Sequence, residues 1–125
     1  MAKELSKIMA KKVMGWTQRQ HPYYKDQKRC WYKTHKRGWM WKINCEDWNP
    51  AERIDQAFEV VEKMIKGGYE FELSTLPRTS LPNRFNACFW TIPDSVEGIV
   101  FENNNTTPAM AICLATKKAM EERDG

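Results

Sequence analysis

Arg37, Trp39, Trp41 and Lys42 put two cations and two indoles on one short stretch, and Arg84 with Trp90 repeats the pairing further along the chain. Guanidinium and ammonium groups neutralise phosphate, while indoles stack on bases and on cations. These six residues therefore offer capture of a phosphate-bearing ligand with a flat ring. The competing reading is a twisted hairpin whose aromatics pack inward and whose cations are solvated.

Bond-making chemistry has no comparable signature. Glu46 and Asp47 are adjacent carboxylates that point apart on an extended chain, and Glu70 and Glu72 share a strand face that reads as its solvated side. No glycine-rich phosphate loop, zinc-protease helix or nucleophile elbow is present. His21 precedes Pro22 and reads as a loop residue. Cys30, Cys45, Cys88 and Cys113 stand singly, without the close pairs of structural zinc modules, so reduced thiols without metal are expected. The chain is expected to be a binding protein, not an enzyme, with no catalytic residues and no cofactor.

The charge is segregated. Residues 1–42 carry twelve Lys or Arg against Glu4 and Asp26, a net +10, whereas residues 43–125 net −6, for +4 overall. Trp16, Trp31, Trp39, Trp41 and Trp48, five of six tryptophans, lie in or beside the basic part.

The elements that must position these groups can be read from periodicity. Leu5, Ile8, Met9 and Val13 predict an amphipathic helix over Ala2 to Met14 that Gly15 ends. Trp16 to Lys28 has no period and reads as a loop. Cys30 to Lys33 and Trp39 to Asn44 flank a glycine-containing turn and predict a hairpin, with Trp39, Trp41 and Ile43 on one pleat face that packs on something. Asn49 as N-cap, Pro50 and Glu52 predict the start of a helix running to Lys66, with Ile54, Ala57, Phe58, Val61, Met64 and Ile65 as its buried stripe.

Tyr69 to Leu73 alternates as a half-buried strand, and Ser74 to Asn83 reads as a loop. Phe85 to Ile92, apolar on both faces, predicts a central strand covered on both sides. A short strand at Gly98 to Glu102, a turn at Asn103 to Asn105, and a last helix capped by Thr107 and opened by Pro108 complete the order.

At 125 residues and 42% apolar content this is one domain, residues 1–125, with enough core to fold unaided. The lysine-dotted first twelve residues are expected to be neither leader nor membrane span. A location in the cytoplasm of the cell that makes it, with no membrane partner, is expected. Six tryptophans in so short a chain suggest interface aromatics and a homo-oligomer.

Several stretches together resemble one family. Val13-Met14-Gly15-Trp16, Trp48-Asn49-Pro50, Ala57-Phe58-Glu59-Val60-Val61-Glu62-Lys63 and Pro108-Ala109-Met110-Ala111-Ile112-Cys113-Leu114-Ala115 are similar to the phage ABA sandwich domain proteins of phages and prophages. The resemblance covers nearly the whole chain. It implies an α/β fold, a three-layer α/β/α sandwich with a mainly antiparallel sheet, and it implies no reaction. The hairpin from Lys25 to Lys42 looks longer and more basic than the family's usual strand pair. Arg53 and Ile54 also stand where the family tends to small and acidic residues.

For a small phage protein without catalytic groups, the expectation is a counter-defence sponge. It would sequester a phosphate-bearing small molecule, a cyclic nucleotide or ADP-ribose-like host immune signal, through Arg37, Trp39, Trp41, Lys42, Arg84 and Trp90. The alternative is an accessory module that binds nucleic acid or a host protein through the same hairpin.

Overall fold

Gly15, at φ 72°, lets the first helix stop where its apolar period does. The computed structural model describes residues 2–20, 29–35, 38–91 and 100–124. Helix α1 (Ala2–Ile8) continues into a π-helical turn over Met9–Val13. The Trp16 amide then donates to the Ala10 carbonyl at 2.9 Å, closing the end.

Two antiparallel three-stranded sheets follow in place of one. The first is β1 (Thr17–Arg19), β2 (Cys30–His35) and β3 (Gly38–Asn44), in that order, and its first strand lies where a loop was expected. Three residues are too few for a pleat period to show. The second sheet is β4 (Tyr69–Thr75), β5 (Phe85–Thr91) and β6 (Val100–Asn105), with β5 central. Asn103 to Asn105 extend β6 instead of turning, because they pair with Ala87, Asn86 and Phe85. Histidine 21, the residues after it up to 28, and the hairpin turn with Arg37 lie outside the described residues.

Helix α2 (Ile54–Lys66) starts four residues later than the Asn-Pro signature predicts. Asn49 closes a turn of its own, its carbonyl accepting the amides of Glu52 at 3.1 Å and Arg53 at 2.8 Å. Its side chain is occupied by the Ser6 hydroxyl, which donates to it at 3.1 Å, and by Glu52, to which it donates at 2.8 Å. Buried Gln56 fastens this turn to the helix by accepting the Asn49 amide and donating to the Asp47 carbonyl.

The buried face of α2 is also rotated from the predicted stripe. Gln56, Ala57, Val60, Val61 and Met64 are buried, whereas Ile54, Phe58 and Ile65 are 40%, 42% and 51% exposed. Helix α3 (Pro108–Asp124), with alanines 111, 115 and 119 buried, packs against α2, and β4 packs against α2 as well. Phe58 meets Phe71 of β4 edge-on, ring centroids 6.4 Å apart.

Helix α3 is capped as expected, the Thr107 hydroxyl accepting the Met110 amide at 3.2 Å. It is buried on nearly every side against β5, β6, α2 and α1. The helices share one face of the β4–β5–β6 sheet, against Phe71, Leu73, Ala87, Phe89 and Phe101. The other face carries exposed Glu70, Glu72, Glu102 and Asn104 and half-buried Cys88 and Trp90, so among the described residues β5 is covered on one side only. The α/β class holds. A second helical layer over this sheet is not built by the described residues.

Trp48 joins the first sheet to the helices. Its indole N–H donates to the Ser6 carbonyl of α1 at 2.9 Å, and its ring meets that of Trp16 at 4.7 Å. Trp31 of β2, 1% exposed, fills the space beside it.

Candidate ligand-binding surface of the basic hairpin

Antiparallel partners place their side chains on the same sheet face. Tyr32 pairs with Trp41 and Thr34 with Trp39, so the two indoles project from one face. The register then slips: Trp31 pairs with Ile43, leaving Lys42 as an extra residue in β3. This bulge turns Ile43 to the inner face beside Trp31 and breaks the expected alternation. The outer face thus keeps Trp39 and Trp41 but not Ile43, and neither indole is buried: they are 48% and 51% exposed.

Arg19 of β1 reaches across this face, its guanidinium carbon 4.4 Å from the Trp39 ring centroid. An exposed cation–π contact is worth about 0.5–1 kcal/mol. Opposite Trp41 on the same face lies Tyr32, 6% exposed, whose hydroxyl is buried without a hydrogen-bond partner among the described residues. Burial, followed by the field of Cys30, raises its phenol above the ordinary range, and Arg19 opposes the shift. The result is an open platform: two half-exposed indoles two residues apart, about 6.6 Å along the strand, with a guanidinium already parked on one ring.

Two recesses lie on the inner side of the same sheet. The larger, about 470 Å³, opens between α1 and the sheet and is lined by Lys3, Lys7, Gln18, Cys45 and Glu46 over buried Trp31 and Trp48. The smaller, about 280 Å³, is lined by Lys33, Lys42 and Lys63 with Trp16, Ile43 and Glu59.

The structure therefore divides the six residues singled out by sequence. Trp39 and Trp41 form the outer platform, while the bulged Lys42 lines the smaller inner recess. Arg84 and Trp90 belong to the second sheet, one immediately before β5 and the other near its far end, so about 20 Å of strand separates them. Arg84 is half-buried with its Nε unpartnered among the described residues, and Trp90 is half-buried opposite Glu70. Arg37 is outside the described residues.

Arg19, Tyr32, Lys33 and Lys63 were not singled out. Arg19 sits on a strand too short to announce itself, and Lys63 reaches the hairpin only through the packing of α2.

None of the four cysteines is in a disulfide, and burial raises the Cys113 thiol to about 12. Among the described residues no three His, Cys, Asp or Glu side chains gather as a metal site would require.

The profile of the phage ABA sandwich domain matches residues 7–116 of the 125. The chain belongs to the phage ABA sandwich domain family. It is a phage protein, as the motifs around Gly15, Trp48 and Pro108 imply. The residues that carried the resemblance are structural in this chain: Gly15 ends α1, Trp48 ties Ser6 to the first sheet, and Pro108 opens α3. Comparison with curated proteins and with solved structures gave no match. Among the described residues no helix is long and apolar enough to cross a membrane.

Proposed function

We propose that this phage ABA sandwich protein is a binding module that captures a ligand carrying both bases and phosphates, and releases it chemically unchanged. The observation that carries the proposal is the platform itself: Trp39 and Trp41 half-exposed on one face, with Arg19 stacked on one of them. Large exposed indoles cost solvation and mark interaction surfaces. An aromatic and cationic sheet face is the arrangement that stacks unpaired bases while neutralising the strand between them.

The openness of the platform favours a short single strand over an isolated small nucleotide. Small-molecule sites enclose most of their ligand, as a sponge for a cyclic nucleotide or ADP-ribose-like signal must. Counter-defence remains the setting we propose, with a host nucleic acid as the preferred target. Titration of short single-stranded oligonucleotides and of small cyclic nucleotides at several salt concentrations tests this. Oligonucleotide binding that weakens steeply with salt supports it, because each phosphate contact releases counterions. Binding of a small cyclic nucleotide alone, with a shallow slope, would return the sponge to first place.

Self-association is part of the same proposal. Ile54, Phe58 and Ile65 form an exposed apolar strip along α2. Asp55 and Lys66, three turns apart on its flank, would meet their opposites if two copies paired antiparallel.

A further inference from the structure

The smaller inner recess has no part in the platform, since Lys33 and Ile43 face the opposite side of the sheet from Trp39 and Trp41. Its cations come from three separate elements: Lys33 from β2, Lys42 from the β3 bulge and Lys63 from α2. Among the described residues none of the three has an ion-pair partner. Gathering like charges costs stability unless something opposite offsets them. Glu59, one turn before Lys63 on α2, is the one carboxylate in the lining against three lysines; burial, then the fields of Asp55 and Glu62, raise its pKa.

The walls between the lysines are apolar, formed by Trp16 and Ile43. A volume of about 280 Å³ admits a one-ring molecule, at the lower end of the roughly 300–1,000 Å³ of small-ligand sites. The larger recess lacks this convergence, its two lysines coming from one helix and facing Glu46.

We infer that this recess is a second binding site, for a small organic phosphate whose phosphate is held by Lys33, Lys42 and Lys63 and whose ring rests against Trp16 and Ile43. The bulge serves this site directly, because it is what brings Lys42 to the recess while leaving Trp41 on the platform. The inference is independent of the proposed nucleic-acid platform.

Calorimetry with phenyl phosphate and inorganic phosphate as probes tests it on the whole protein. The expected result is 1:1 saturable binding of phenyl phosphate, tighter than inorganic phosphate. Lys63→Ala should weaken it roughly 10-fold or more, as loss of a charge-assisted contact does, with Lys63→Arg largely retaining it and Trp39→Ala without effect. Lys33→Ala provides the same readout if Lys63→Ala fails to fold by near-UV circular dichroism. No saturable binding of either probe, equal affinity for both, or binding unchanged in the folded lysine variants would overturn the inference, whatever the platform binds.

Discussion

The guanidinium of Arg19 lies 4.4 Å from the ring of Trp39, across the face of a sheet in which β1 and β3 are not hydrogen-bonded neighbours. The contact spans the intervening strand and holds a cation on an indole that is otherwise half-exposed. Arg19→Ala should accordingly weaken oligonucleotide binding and reduce its salt slope by about one, while changing the urea midpoint little. Salt-dependent titration of the two proteins checks it.

Trp48 should matter for stability and not for ligand. Trp48→Phe removes the indole donor to the Ser6 carbonyl, so a loss of about 0.5–1.5 kcal/mol from that hydrogen bond is expected, with further loss from the smaller ring. Denaturant unfolding with oligonucleotide binding measured in parallel separates the two effects.

Phe58→Ala should be milder than a core truncation. A fully buried Phe costs about 3–5 kcal/mol when cut to Ala, but this ring is 42% exposed and touches Phe71 edge-on, so about 1–2 kcal/mol is expected. Gln56→Ala, which strands the Asn49 amide and the Asp47 carbonyl, should cost at least as much despite removing a polar residue. Urea midpoints of the two variants decide the order.

Cys113 ties stability to alkaline pH. Its thiol is raised by burial from 9.0 to about 12, so the native state keeps the proton that the unfolded chain loses. The stabilisation is complete below pH 9 and declines as pH rises from 9.0 toward about 12. Cys113→Ala should flatten that part of the stability profile. Thiol titration at pH 8 should find Cys113 unreactive until the protein unfolds.

The strip on α2 predicts self-association. Analytical ultracentrifugation should show a dimer at micromolar concentration that Phe58→Glu converts to monomer. A wild-type monomer would mean that the exposed Ile54, Phe58 and Ile65 serve another partner.

Much of the fold was legible in the sequence because its signals are local. Gly15, Thr107 and Pro108 act within one turn of themselves, and the alternation of Tyr69 to Leu73 needs only its own strand. The start of α2 was not legible, since what delays it is the engagement of the Asn49 amide by Gln56 and of its side chain by Ser6, and Ser6 is 43 residues away. Which face of α2 is buried is set by its packing on α3 and β4, which its own periodicity does not carry. At the candidate site Trp39 and Trp41 could be found from composition and spacing. Their separation from Ile43 and Lys42 depends on one bulge, which leaves no mark in a pattern of alternating residues.

The central claim is that Trp39 and Trp41 are a stacking platform for unpaired bases. Fluorescence anisotropy of a labelled single-stranded oligonucleotide, titrated with wild type, Trp39→Ala and Trp41→Ala, measures it most directly. Each variant should fold as wild type and bind about 1–3 kcal/mol more weakly, the usual worth of one base on one aromatic ring. Wild-type affinity in both variants, or no binding by the wild-type protein at low salt, would contradict it.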